Sequence, residues 1–95
     1  MAGSGTWQVS DKNPEIKVIT TNDPHTKHLY RVVNLGPGHV HIATTAGQAD
    51  RLSASSFRDY FSQEMTILID SDPSNPDDFA TGTLEYLGYS AKAEA

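Results

Sequence analysis

Apolar and polar residues alternate along several short stretches of the chain, which predicts strands rather than helices. The three clearest stretches are residues 6–10, 15–20 and 65–70. Successive side chains of a strand point to opposite faces, so each stretch is predicted to be a strand with one buried face. The residues predicted to point inward are Trp7, Val9, Ile16, Val18, Met65, Ile67 and Ile69.

Residues 30–43, with the sequence YRVVNLGPGHVHIA, predict two strands folded back on each other through a Gly-Pro-Gly turn. The first strand, 27–35, is apolar on both faces, with Leu29, Val33 and Leu35 on one and Tyr30 and Val32 on the other. That pattern is typical of a central strand covered on both sides. The second strand, 39–44, is predicted to bury Val40 and Ile42.

Two further stretches complete the predicted fold. Residues 52–61 are interpreted as an edge strand or as a short helix capped by Ser55 or Ser56, and residues 79–87 as a closing strand that buries Leu84 and Tyr86. The total is about seven short strands separated by turn residues. We therefore predict an all-β fold, a single antiparallel β-sandwich of the immunoglobulin-like or jelly-roll-like kind.

Length and composition define the expected organisation and exclude several classes of partner. The 95 residues suffice for one domain, predicted over 6–89, with a flexible arm at 1–5 and a flexible tail at 90–95. A net charge of -5, with seven scattered Lys and Arg residues, argues against binding nucleic acid. There is no cysteine, no secretory signal pattern and no apolar run long enough for a membrane span, so we expect cytoplasmic synthesis without a cleavable signal peptide.

The order of strands and turns resembles a known class of protein. The segments that carry the resemblance are YRVVNLGPGHVHI, Leu52 with the aromatic strand after it, MTILID, the Asp/Pro loop and GTLEYLG. Together they look like small single-domain β-sandwich accessory proteins of phage virions, of the head-decoration or fibre-associated kind. The resemblance implies docking as an oligomer through a flexible arm, and it transfers no catalytic residue.

His39 and His41 are the first candidate chemical motif. On a strand, both imidazoles would leave the same face about 6 to 7 Å apart, which suits two ligands of one metal ion. The pair also resembles the metal motif of cupins, but the glutamate that continues that motif is absent from residues 43–48. The alternative is two exposed histidines on the face opposite Val40 and Ile42. A second pair, His25 and His28, would join them only through a neighbouring subunit or a strong twist.

The acidic loop DSDPSNPDD is the second candidate. Asp70, Asp72 and Ser74 occupy positions 1, 3 and 5 of a calcium-binding loop pattern. The pattern then fails, because Asn75 stands where the glycine belongs and Thr81 where the bidentate glutamate belongs. The alternative interpretation is an acidic, proline-broken surface loop.

These observations favour a non-enzymatic structural or interaction protein without a cofactor. The hypothesis is a virion decoration, cement or attachment-associated subunit that binds itself as a homo-oligomer and docks on a larger protein assembly. Its expected interface comprises Gly3, Ser4, Gly5, His39 and His41. The alternatives are a cupin-like metal-binding protein using the two histidines, and a calcium-assisted carbohydrate-binding module. The stacking rings of that module would be Trp7, Tyr30, Tyr60, Tyr86 and Tyr89.

Overall fold

The computed structural model of the protein describes residues 5–19, 26–44, 49–70 and 78–92. The strands are β1 (Gly5–Ser10), β2 (Glu15–Ile19), β3 (Thr26–Pro37), β4 (Val40–Thr44), β5 (Ala49–Leu52), β6 (Ser56–Ser62), β7 (Glu64–Ile69) and β8 (Phe79–Lys92). They form two four-stranded sheets, sheet A in the order β1-β8-β3-β6 and sheet B in the order β2-β7-β4-β5. Every pairing is antiparallel, which confirms the predicted all-β antiparallel sandwich. The parts of the chain described here include no helix that could cross a membrane.

The core lies between the two sheets and is built from the inward positions of the alternating strands. Val32 of sheet A and Ile67 of sheet B are both fully buried, as the alternation predicts. The other buried hydrophobic residues of the core are Trp7, Val9, Tyr30, Val40, Ile42, Leu52, Tyr60, Met65 and Ala80. The buried faces of β1, β4 and β7 therefore follow the hydrophobic pattern.

The segment around the Gly-Pro-Gly turn is not the hairpin that the sequence predicts. β3 pairs with β6 and β8 in sheet A, whereas β4 pairs with β5 and β7 in sheet B. Gly36, Pro37 and Gly38 therefore form a corner at which the chain passes from one sheet to the other. Gly36 has a φ of 85°, a backbone conformation in which glycine is favoured.

The side chain of Asn34 holds this corner together. Asn34 is fully buried, and its amide nitrogen donates to the carbonyl oxygens of Gly38 at 3.1 Å and Leu52 at 3.0 Å. Its amide oxygen accepts a hydrogen bond from the backbone N–H of Gly36 at 2.8 Å. These bonds satisfy backbone groups that a chain leaving its sheet would otherwise bury without partners.

Several predicted boundaries need correction. Residues 52–61 contain no helix; they contain the end of β5 and most of β6, joined by a turn in which Ser55 has a φ of 63°. Because β5 and β6 are separate strands, the described residues form eight strands rather than about seven. β8 continues to Lys92, so residues 90–92 extend a strand rather than forming a tail. Gly5 pairs with Leu84 in β1 instead of belonging to an arm. Residues 1–4 lie outside the described residues.

One side of the sandwich is bridged by polar groups between β5 and β6. Asp50 of β5 accepts hydrogen bonds from the guanidinium of Arg58 and from the hydroxyl of Tyr60, both on β6. The hydrogen bond from Arg58 holds the pKa of Asp50 below its ordinary value. Burial raises the pKa of Tyr60, and the neighbouring Asp50 carboxylate raises it further. The neutral hydroxyl and the ionised carboxylate together link the edge strands of the two sheets.

Candidate functional site

The two histidines of the His-x-His pair have different partners. His39 lies just before β4, and its Nδ1 accepts a hydrogen bond from the backbone N–H of Ala54 at 2.8 Å. His41 lies within β4, where its Nε2 is 3.4 Å from Oδ1 of Asp70. A neutral His39 that accepts at Nδ1 carries its proton on Nε2. The structure therefore gives His39 a role in holding the β5–β6 turn and places His41 beside an acid.

Asp70 is the centre of a small polar cluster with His41 and Arg51. Its side chain is only 5% exposed, and its Oδ2 accepts a hydrogen bond from Nε of Arg51 at 2.9 Å. His41 and Arg51 are direct neighbours across β4 and β5, which brings both to the end of β7 where Asp70 follows. A buried carboxylate between a guanidinium and an imidazole is paired rather than left as an isolated charge.

Only part of the predicted metal chemistry falls on described residues. His41 and Asp70 come together, but Arg51 already supplies a cation to that carboxylate. Within the residues that the structure describes, no group of three His, Cys, Asp or Glu side chains could hold a metal ion. Asp72, Ser74 and His25, like the interface candidates Gly3 and Ser4, lie outside the described residues. His28 lies on β3 in sheet A, so it is in the other sheet from His41.

Three of the aromatic residues suggested for sugar stacking are buried in the core, so that interpretation is wrong for these three. Trp7, Tyr30 and Tyr60 are 3%, 3% and 8% exposed. Tyr86 packs against the core and lies 5.6 Å from the ring of Tyr30. The side chain of Tyr89 is not among those that the structure describes. The rings of Trp7, Tyr30 and Tyr60 occupy inward positions of their strands, where packing rather than a ligand covers them.

The outer side of sheet A carries a different feature, which we call the outer β3–β6 face. It consists of the outward side chains of the two strands, Leu29, Arg31, Val33, Leu35, Phe57, Asp59 and Phe61. In the register of β3 and β6, Leu29 is opposite Phe61, Arg31 opposite Asp59, and Val33 opposite Phe57. The face is thus an ion pair with an apolar pair on each side of it along the strands.

Exposed hydrophobic side chains concentrate on this face. Leu35 is 61% exposed, Phe57 59% and Phe61 40%, and these are the large hydrophobic residues that are exposed in the described parts of the chain. Scattered single apolar residues are ordinary on a protein surface, but a contiguous group marks an interaction site. The prediction that β3 is covered on both faces is therefore wrong for the single chain, because only the inner face is covered.

The charges of the face are held in place by short-range contacts. Arg31 and Asp59 form a two-pronged ion pair, with Nε to Oδ1 at 2.9 Å and Nη2 to Oδ2 at 3.3 Å. The guanidinium carbon of Arg31 lies 4.8 Å from the centre of the Phe57 ring, and Nζ of Lys27 lies 5.9 Å from that of Phe61. The hydrogen bond from Arg31 lowers the pKa of Asp59, and the same bond raises the pKa of Arg31. Both groups are therefore ionised at neutral pH.

The sequence contains two signals of this face, although neither led to its prediction. One is the apolar character of both faces of β3, and the other is the spacing of Phe57 and Phe61, which puts them on the same side of β6. The pairing of Arg31 with Asp59 depends on the β3–β6 register, which no local pattern specifies. The described residues form no pocket, and their exposed large hydrophobic side chains lie on the outer β3–β6 face.

Fold and surface together define the chain as an antiparallel β-sandwich with one aromatic, ion-paired outer face. Comparison with known proteins adds no relative: no family model matches the chain, and no curated protein or solved structure is significantly similar to it.

Proposed function

We propose that this chain is a non-enzymatic structural or interaction protein that works as a homo-oligomer. The observation that carries the proposal is the outer β3–β6 face, on which Leu35, Phe57 and Phe61 are all substantially exposed. Exposed aromatic rings beside an arginine have the composition found at the centres of protein interfaces. An assembly in which this face is covered would remove that apolar surface from water.

The charge of the face supports a protein partner rather than a nucleic acid. Arg31 is paired with Asp59, and Glu85 of β8 lies opposite Arg31 on its other side. Binding to a phosphate backbone requires several cations free to neutralise phosphates. A face of balanced charge with apolar flanks is better matched to another protein surface of the same kind.

The setting that we propose for this assembly is the virion, as a decoration, cement or attachment-associated subunit. Its support is the sequence resemblance to small virion accessory proteins, together with an all-β sandwich whose outer face has exposed apolar side chains. For a subunit that acts by binding, an exposed apolar face is the feature on which its function would depend.

Size-exclusion chromatography with light scattering tests the proposal directly. The chain has a mass of 10.3 kDa, and we expect a discrete multiple of it at micromolar concentrations and above. Phe57→Ser should reduce that mass, whereas Gln8→Ala, on the exposed side of β1 in the same sheet, should leave it unchanged. A wild-type chain that stays monomeric up to submillimolar concentration would overturn the proposal.

A further inference from the structure

We infer that the outer β3–β6 face binds the same face of a second copy of this chain, about a two-fold axis that runs parallel to the two strands. The inference rests on the proposed function and specifies its partner, its surface and its symmetry. Two-fold dimers are the commonest closed assemblies, and each uses one self-complementary patch twice. A two-fold dimer through this face therefore requires that the face be complementary to itself.

The apolar residues on the outer side of β3 favour a cover on that side. The open face of an antiparallel sheet is normally polar, so apolar side chains there indicate that another layer packs against it. In the single chain, Tyr30 and Val32 are covered by sheet B, while Leu35 on the opposite face is 61% exposed. A second copy of sheet A would provide the missing layer, since two sheets pack face to face with their strands within about 30° of each other.

Net charge limits where two copies can approach each other. The chain carries seven Lys and Arg residues and twelve Asp and Glu residues, so two copies repel over most of their surfaces. On and beside the outer β3–β6 face, however, Lys27 and Arg31 balance Asp59 and Glu85. These four described charges therefore cancel. Two copies with the same net charge therefore repel each other less at this face than elsewhere.

The position of the ion pair selects the symmetry axis. A two-fold axis parallel to the strands places β3 of one copy over β6 of the other. Arg31 then lies over Asp59 of the second copy, and Asp59 lies over Arg31 of the second copy. An axis across the strands would instead place Arg31 over Arg31 and Asp59 over Asp59. Opposite charges attract and like charges repel, so the parallel axis is selected.

The same axis also matches the apolar residues. Phe57 lies over Val33 of the second copy, and Phe61 lies over Leu29 of the second copy, because each pair is already opposite in the β3–β6 register. The four charges at the centre then alternate in sign around a ring, so no charge is buried without a partner. The result is an apolar interface with a paired arginine near its centre, an arrangement typical of interface hot spots.

Charge reversal tests this arrangement, measured by sedimentation velocity and native mass spectrometry. Arg31→Asp places two acids opposite each other at both positions of the two-fold dimer, and Asp59→Arg places two bases there. Each variant alone should run as a monomer, with its dissociation constant raised at least about 100-fold if each of the two reversed contacts costs about 1.4 kcal/mol. Lys17→Asp is the matched control, because Lys17 is an exposed cation on β2 in sheet B, away from this face. Circular dichroism shows whether each variant is folded.

Mixing and recombination then identify the contact. An equimolar mixture of the Arg31→Asp and Asp59→Arg chains should form dimers with one chain of each kind, since the acid introduced in one chain would meet the base introduced in the other. The double variant carrying both changes should dimerise with itself. An axis across the strands predicts instead that wild type and Arg31→Asp chains prefer each other, and that result would overturn the inference.

The outcomes separate this inference from the proposed function. A wild-type oligomer whose mass is unchanged by either single reversal would overturn the face and axis while the homo-oligomeric function stood. Reversal that dissociates the oligomer without rescue in the mixture would overturn the ion-pair exchange. A wild type that is monomeric throughout would overturn both. Dissociation by each reversal and rescue by their mixture would support both.

Discussion

Replacing Asn34 should show how much the corner between the sheets contributes to stability. Asn34→Ala removes three hydrogen bonds, two to the carbonyl oxygens of Gly38 and Leu52 and one from the N–H of Gly36. A buried polar group left without a partner costs about 1 to 3 kcal/mol. Because the corner can relax in part, we expect a total loss of about 3 to 5 kcal/mol. That is a large part of the roughly 5 to 14 kcal/mol expected for a domain of this length.

Asn34→Asp separates the loss of bonds from the introduction of charge. The carboxylate can still accept from Gly36, but it would face the two carbonyl oxygens to which the amide donates. Burial without a cation raises the pKa of the introduced acid. The folded state then holds a proton that the unfolded state releases above about pH 3.9, so the destabilisation should be largest at neutral pH and shrink as pH falls.

Urea unfolding followed by the fluorescence of Trp7, which is buried in the core, measures both variants. Asn13→Ala makes the same change at an exposed position and should alter the free energy of unfolding by less than about 0.5 kcal/mol. A loss below about 1 kcal/mol for Asn34→Ala would refute the reasoning. It would mean that water or another group makes hydrogen bonds to the backbone groups of the corner equally well.

Three other predictions follow from the same structure. Ile67→Ala should cost about 2 to 5 kcal/mol by urea titration, since Ile67 is fully buried, and a change below about 1 kcal/mol would show that the core is misassigned. Gly82→Ala should lower the free energy of unfolding by about 3 kcal/mol, measured by thermal unfolding, because a Cβ there would collide with the carbonyl oxygen of Val33 and the ring of Trp7. Gly5→Ala is the control: the space around Gly5 is open, so this change should be nearly neutral. The pKa of Asp50 is lowered in the fold, so its ionised form contributes to the free energy of unfolding above about pH 4, and this contribution is lost as pH falls further. Asp50→Asn should therefore make the free energy of unfolding depend less on pH in acid. An unchanged pH profile would contradict this.

Local patterns in the sequence specify the strands but not the way in which they are combined. The alternation around Ile67 and the buried positions of β1 follow directly from a two-residue period. The Gly-Pro-Gly segment is compatible with a hairpin and with a corner between sheets, and its local residues do not distinguish them. The choice depends on β3 pairing with β8, a strand that begins more than forty residues later at Phe79.

The candidate sites show the same division between local and long-range information. Period-two spacing nominates His39 and His41 as a pair, but their partners, Ala54 and Asp70, come from other parts of the chain. The outer β3–β6 face likewise depends on a register that brings Arg31 beside Asp59. Sequence spacing can therefore suggest candidate site residues, but the contacts of these residues are determined by the strands that lie beside them.

Val32 and Val33 allow the two faces of β3 to be compared with a single kind of substitution. Val32 is fully buried against sheet B, whereas Val33 is half-buried on the outer face beside Phe57. Val32→Ala removes two buried methyl groups, worth about 1.6 kcal/mol in transfer alone, with more for the cavity, so it should lower the free energy of unfolding. Val33→Ala should change unfolding of the monomer far less and should instead weaken association, measured by light scattering at a series of concentrations. Val32 and Val33 are adjacent residues of the same type in one strand, so a difference between the two variants reflects the face on which each side chain lies. If Val33→Ala destabilised the monomer as strongly as Val32→Ala and left association unchanged, the outer face would be part of the fold and not of an interface.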